Sequence, residues 1–160
     1  ARWSGGEADW TIPVLTLNTW THVLWTYNTT VTTAPVGYLD GVSQTVTQVN
    51  AASGTYTAGT DAVSIGDIVP DSSILSWQGQ LAECAIWNRI LAANEVKSVA
   101  CRGSRCGVRA VSSGLLAYWP LGSFTGNNYT TTTGLTGTLS NVSILNNGPN
   151  ISYGSQGDRP

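Results

Sequence analysis

One histidine, three cysteines and nine carboxylates are all that this chain of 160 residues offers for acid–base, nucleophilic or metal chemistry. His22 is the right residue type for a hydrolytic triad, yet no Gly-x-Ser-x-Gly nucleophile turn exists to supply its serine. Paired-carboxylate hydrolysis by a retaining route needs two carboxyl groups about 5 Å apart. Glu83 is alone in its segment, and Asp61 and Asp67 are six residues apart with Ile65-Gly66 between them. Glu83 therefore reads as a structural residue that satisfies backbone or hydroxyl groups at a sheet margin. Cys101 and Cys106 flank Arg102-Gly103-Ser104-Arg105, a short loop able to close on a disulfide in an oxidising setting. Three reduced thiols, with Cys84 buried in a strand, is the other reading, and compartment decides between them. No Cys-x-x-Cys pair or Cys/His cluster of zinc spacing occurs.

The basic residues are unevenly placed. Arg89, Lys97, Arg102, Arg105 and Arg109 are five of the seven and lie within twenty-one positions. They fit either a solvated face or an interface patch, because the arginine fork pairs with carboxylates and backbone carbonyls at once. Arg102, Arg105 and Arg109 are the interface candidates. Charged residues make up only 10% of the chain and the formal net charge is -2, against about 25% charged in an average domain. That balance lacks the basic field needed by nucleic-acid or anionic-membrane binding. The longest apolar runs fall short of the roughly 20 residues of a membrane span. Disorder is excluded by 41% hydrophobic residues and seven tryptophans. One domain is expected at this length. The chain opens Ala1-Arg2-Trp3 without an initiator Met or a signal pattern, and is read as processed or as part of a longer product. Asn-x-Ser/Thr sequons at Asn28, Asn128, Asn141 and Asn150 are what chance produces in so Asn- and Thr-rich a sequence.

The elements that must position these groups are mostly strands. Residues 21–28, Thr-His-Val-Leu-Trp-Thr-Tyr-Asn, are β-branched and aromatic, and Val23, Trp25 and Tyr27 share one face. Val36-Gly37-Tyr38-Leu39 meets Asp40-Gly41 and then Val42 to Val46, a hairpin with a type I′ turn. Asp61 to Asp67 forms a further short strand. Residues 77–87 alternate with apolar side chains on both faces, which predicts a central strand covered on both sides. Leu91 to Ala100 carries good helix formers with apolar positions at Leu91, Ala92, Val96 and Val99. Strand returns over 114–120, and residues 122–160 are rich in Thr, Gly, Asn and Ser, suiting short strands or an extended arm. Many short strands with almost no helix predict an all-β sandwich or jelly roll.

Four segments in order carry a resemblance. Asn18-Thr19-Trp20-Thr21-His22-Val23 is followed by Tyr38-Leu39-Asp40-Gly41, then by Ser64-Ile65-Gly66-Asp67 and Trp77-Gln78-Gly79-Gln80-Leu81-Ala82-Glu83 through Trp87-Asn88-Arg89. The combination, over roughly residues 15–150, resembles the concanavalin A-like lectin/glucanase superfamily in its laminin-G-like jelly-roll branch. The later Leu115 to Leu121 stretch, with Gly148-Pro149, is similar to a subgroup common in phage structural proteins and metagenomic viral genomes. The resemblance implies an antiparallel jelly-roll sandwich with one short helix near 91–100, a core over 1–121, and C-terminal strands or an arm over 122–160. Family domains carry several strands before the Trp-x-His-Val element, and only about twenty residues precede it here. An N-terminally incomplete roll, with an exposed sheet edge covered by a neighbouring chain, is the expectation.

The resemblance also implies a set of candidate sites. Its glucanases carry Glu-x-Asp-x-x-Glu on one strand, which this sequence lacks. His22 matches a recurrent structural position and is expected to be a hydrogen-bonded strand residue. No cofactor is expected. Calcium is the one ion that lectin relatives bring in, held by loop Asp, Asn and backbone oxygens; Asp67 and Asp71 are the metal candidates with Asp61 as a third, and turn capping is their alternative role. Sugar binding rests on an exposed indole with polar side chains around it. Trp77 and Trp10 are the indoles expected at the surface, with Asp71 in the loop before Trp77. Trp25 and Trp87 are expected in the core, and Trp20 and Trp119 at strand ends. The leading expectation is a non-catalytic, lectin-like structural module of a virion surface, a capsid decoration or fibre component able to bind glycan. Its partners are then copies of itself, other virion proteins and host or environmental glycans, with neither nucleic acid nor membrane among them. A secreted or cell-surface carbohydrate-binding or adhesion module of a larger protein is the alternative, and a glycoside hydrolase is third.

Overall fold

β-Branched and aromatic runs set the strands, and the pairs they make are all antiparallel. The computed structural model describes residues 2–3, 6–7, 9–28, 34–51, 53, 65–66, 77–101, 106–121, 128–130 and 136–138. β1 (Arg2–Trp3) pairs with β2 (Gly6–Glu7), and β3 (Asp9–Thr11) pairs across the chain with β7 (Thr47–Asn50). β4 (Val23–Thr26), β5 (Val36–Leu39) and β6 (Val42–Gln44) form a three-stranded sheet in that order. β8 (Cys84–Trp87) pairs with β9 (Leu115–Trp119), and β10 (Asn128–Thr130) with β11 (Thr136–Thr138). One short helix, α1 (Ala93–Ala100), lies between β8 and β9 in the chain, followed by a single 3₁₀ turn over Val108–Ala110. This is the all-β architecture of antiparallel sheets with one short helix that a jelly-roll sandwich requires.

The β5–β6 connection shows how locally the chain is encoded. Asp40 and Gly41 have φ of 47° and 79°, the two positive values that a type I′ turn demands. Gly41 is also crowded, since a Cβ there would stand 3.1 Å from the Ala100 Cβ at the end of α1. The helix thus rests directly on the hairpin turn.

The core gathers around that helix. Val96 and Val99 of α1 join Leu91, Val108 and Val111 in one buried cluster with Leu24 of β4 and Tyr118 of β9. Tyr38, Ala85, Trp87 and Leu115 pack against its margin. The register explains the choice of faces: Leu24 is paired with Tyr38, and Ala85 with Tyr118, so each pair turns the same face inward.

Several expectations are corrected here. On β4 it is Leu24 and Thr26 that are buried, so Val23 and Trp25 point outward and Trp25 is not a core residue. The long strand expected over 77–87 is only the four residues of β8, all half-buried, with β9 its one partner among the described residues. The cause is Glu83, whose φ of 56° breaks the extended run; a second positive φ stands at Leu121, just beyond β9. The Glu83 N–H still donates to the Pro120 carbonyl at 3.2 Å, closing the ladder where the strands part. The helix begins at Ala93, after an exposed Ala92. The strand expected over 61–67 lies outside the described residues, apart from Ile65 and Gly66.

Candidate functional site

The Trp87-Asn88-Arg89 segment ends β8 and ties three parts of the chain together. The Trp87 indole N–H donates to the Val111 carbonyl at 2.8 Å, and the Asn88 N–H to the Gly114 carbonyl at 2.9 Å. Arg89 donates from Nε to the Ser113 carbonyl at 2.9 Å and grips both oxygens of Glu95 at 2.7 and 2.6 Å. Glu95 in turn accepts the Ala92 N–H at 2.9 Å at the start of α1. These bonds hold the Glu95 carboxyl down to about 2, the Arg89 fork first and the Ala92 amide second, and Glu95 raises Arg89. This segment is structural.

Two other titratable groups are also committed to the fold. The Asp40 Oδ1 accepts the His22 N–H at 2.9 Å while the Asp40 N–H donates to the His22 carbonyl at 2.9 Å, a reciprocal clasp across the β4–β5 end. His22 was expected as a hydrogen-bonded strand residue; it stands just before β4, its backbone is hydrogen-bonded to Asp40, and its buried ring Nδ1 has no hydrogen-bond partner among the described residues. Burial lowers the His22 pKa below 6.5, with the Asp40 carboxylate partly opposing. The Tyr118 hydroxyl donates to the Glu83 carboxylate, and the Arg109 guanidinium lies 5.7 Å from the centre of the Tyr118 ring. Cys84 beside them is half-buried, and burial, with Glu83 second, pushes its thiol up to about 11.

An open cleft of about 980 Å³ lies alongside these groups, walled by residues 11–15, 19–26 and 80–87 together with Trp77. Two indoles on its wall share one construction. Trp77 is 49% exposed; its backbone N–H donates to the Gly66 carbonyl at 2.6 Å, and a Cβ on Gly79 would meet its Nε1 at 2.8 Å and its Cε2 at 3.3 Å. Trp25 is 41% exposed. It lies opposite Gly37 of β5, where a Cβ would meet the indole Cζ3 at 3.3 Å and the Ile12 Cγ2 at 2.5 Å. In both cases the glycine leaves room for the indole that a Cβ would crowd.

The expected site residues are thus dispersed. Trp77 stands on the cleft, whereas Trp10 sits on β3 with its ring 6.0 Å from that of Tyr27. Cys101 and Cys106 are joined in a disulfide with Cα atoms 5.3 Å apart, and Gly107 beyond it donates to the Ser98 carbonyl at 3.0 Å. Arg109 covers Tyr118 from the 3₁₀ turn. Asp61, Asp67, Asp71, Arg102 and Arg105 lie outside the described residues. Among the described residues no group of three or more His, Cys, Asp or Glu side chains is placed to hold a metal ion, and no helix is long and apolar enough to cross a membrane. Trp25 is the exposed cleft residue that the sequence reading placed in the core. The available signal was Gly37, a glycine inside a strand, which marks close approach by another group.

A laminin G family model, described as the concanavalin A-like lectin/glucanases superfamily, matches residues 2–97. The chain belongs to the concanavalin A-like lectin/glucanases superfamily. The match runs from the first described strand of this superfamily domain to Lys97 within α1, so it takes in β1 to β8, the tryptophans lining the cleft (Trp20, Trp25, Trp77 and Trp87) and the Arg89–Glu95 pair. Neither curated proteins nor solved structures return a match.

Proposed function

We propose that this superfamily domain is a non-catalytic, lectin-like module displayed on a virion surface, as a capsid decoration or fibre component, and that it binds glycan at Trp77. The observation that carries the reading is the pairing of a half-exposed, glycine-backed indole with cleft carboxylates already engaged in the fold. Asp40 holds the β4–β5 clasp and Glu83 accepts the Tyr118 hydroxyl. Sugar stacking needs such an indole, whereas glycoside hydrolysis needs two carboxyls at liberty to act on one bond. Exposed apolar side chains, Val14 at 96% and Leu17 at 86%, with Val42 and Val49, support contacts with copies of the chain or other virion proteins. The resemblance of residues 115–121 to phage structural proteins supports the virion setting.

Mass spectrometry of purified particles tests the location: the chain is expected among the structural proteins, and its consistent absence overturns the virion assignment. A glycan array with the purified protein tests the activity, with binding lost in Trp77→Ala. The Cys101–Cys106 disulfide also favours a second reading, a secreted or cell-surface carbohydrate-binding or adhesion module, because disulfides persist in oxidising compartments. Binding to the array combined with absence from particles selects that reading.

A further inference from the structure

We infer that the Cys101–Cys106 disulfide is a reducible clasp on the cleft: as a disulfide it holds the end of α1 to the 3₁₀ turn and keeps one wall of the cleft closed, and as a dithiol it lets that wall open while the sheets stay paired. The wall consists of Val99, Ala100, Cys101, Gly107 and Val108, which line the cleft on both sides of the bridge. The clasp works whatever the cleft binds. The two sides it joins are unequally anchored. On one side α1 has only eight residues, but Val96 and Val99 are buried and Ala100 is seated on the β5–β6 turn, where a Gly41 Cβ would stand 3.1 Å from it. On the other side a single 3₁₀ turn, closed by the Ala110 and Val111 amides on the Gly107 and Val108 carbonyls at 3.0 and 3.2 Å, brings Val108 and Val111 into the core. The Gly107 N–H, donating to the Ser98 carbonyl at 3.0 Å, seconds the bridge. A bridge over a sequence separation of 5 removes little entropy from the unfolded chain compared with one that closes a long loop. Its effect therefore falls on this corner, and on the 3₁₀ side of it first.

Cys101 is exposed and Cys106 half-buried, so a small thiol meets the Cys101 sulfur first. Its thiolate attacks Cys101 Sγ, the S–S bond breaks, and Cys106 leaves as a thiolate that takes up a proton. A second thiol of the reductant then displaces the first, leaving two protein thiols and the reductant as its own disulfide, with two electrons passed to the protein. Cell interiors supply such thiols and oxidising compartments do not, so the state of the clasp follows the setting of the protein. The Cys101 sulfur lies 3.4 Å from the Ser98 carbonyl oxygen, the acceptor of the Gly107 N–H. Once reduced, its S–H competes for that oxygen and weakens the second tie between the two sides. Cys84 lines the same cleft but is no rival partner, because burial pushes its thiol up to about 11 and leaves little thiolate to attack the bridge.

Hydrogen–deuterium exchange of the intact chain before and after dithiothreitol, with iodoacetamide on a parallel sample to count free thiols, tests the clasp. Dithiothreitol without denaturant is expected to expose Cys101 and Cys106 to alkylation and to leave Cys84 unlabelled. The amides of Gly107, Ala110 and Val111 should then exchange roughly tenfold faster or more, while those of β4, β5, β8 and β9 keep their rates. The double variant Cys101→Ser with Cys106→Ser should fold and show the reduced pattern with or without dithiothreitol. Unchanged exchange in a sample whose parallel alkylation finds both thiols free overturns the inference, because packing alone then holds the wall. A rise spread evenly over the sheets overturns it as well, by making the bridge a stabiliser of the whole domain, and so does a double variant that does not fold. A bridge that dithiothreitol opens only in urea overturns it by removing the native dithiol form.

Discussion

Arg89 and Glu95 face each other across the junction of β8 and α1 in a two-bond fork, at 2.7 and 2.6 Å. Neither partner stops at the other. Arg89 also holds the loop carbonyl of Ser113, and Glu95 also receives the Ala92 amide at the start of the helix. One ion pair therefore fixes where the strand ends, where the helix begins and where the chain returns toward β9. Lysine cannot replace Arg89 in this role, because an ammonium lacks the planar fork.

The pair makes stability acid-sensitive in a defined window. The folded Glu95 carboxyl sits at about 2 against an ordinary 4.5, so its contribution is fully present above 4.5 and is lost as pH falls toward 2. Urea melts at pH values across that window should show stability declining in the wild type. Glu95→Gln should be less stable than the wild type at neutral pH and should lack this part of the acid decline. An unchanged acid slope in the variant refutes the assignment.

At the β5–β6 turn, Gly41→Ala should destabilise the domain by about 1–2 kcal/mol from the positive φ alone. The added methyl must also be accommodated 3.1 Å from the Ala100 Cβ. Thermal or urea denaturation reads the loss, and a neutral substitution would show that the turn and helix can shift apart.

Cys84 should be nearly inert in the native protein. Raising its thiol from 9.0 to about 11 lowers the thiolate fraction roughly a hundredfold near neutral pH. Iodoacetamide labelling followed by mass spectrometry should find Cys84 slow in buffer and fast in urea. Rapid native labelling would place the side chain in solvent.

His22 should titrate below its ordinary value of 6.5, because burial opposes the charged ring more than Asp40 favours it. Below 6.5 the unfolded chain takes up its proton first, so this group removes stability as pH falls through that point. The ring proton shifts in NMR give the midpoint directly. A midpoint at or above 6.5 would mean that the Asp40 carboxylate dominates.

The sequence reveals what is decided locally. Asp40-Gly41 specifies its turn because two adjacent positive φ values suit few other pairs, and the spacing of Val96 and Val99 announces the buried side of α1, with Leu91 buried just before the helix and only Ala92 of the four expected positions exposed. Glu83 illustrates the opposite case. Nothing in its neighbourhood signals a left-handed residue, and alternation across 77–87 argues for an unbroken strand; the break appears only when Tyr118 of β9 and Pro120 just beyond it arrive. The outward face of Trp25 is hidden from the sequence for a related reason. Alternation says that Trp25 and Leu24 face opposite ways but not which side meets the core, and that choice is made by the helix packing on Leu24. The cleft is half legible: Trp77 follows a Pro- and Ser-containing loop and reads as exposed, while its relation to Trp25 depends on contacts between distant segments.

The eight residues of α1 are too few to hold a helix in water on their own. Its N-cap, Ala92, has no side-chain acceptor, so the cap is lent by Glu95, which Arg89 holds in place from the end of β8. Val96 and Val99 find their apolar neighbours on Leu24 and Tyr118, from strands far apart in the chain. Leu24 and the β5–β6 turn precede α1 in the chain, whereas Val108, Val111 and Tyr118 follow it, so the seat of the helix is complete only when β9 has left the ribosome.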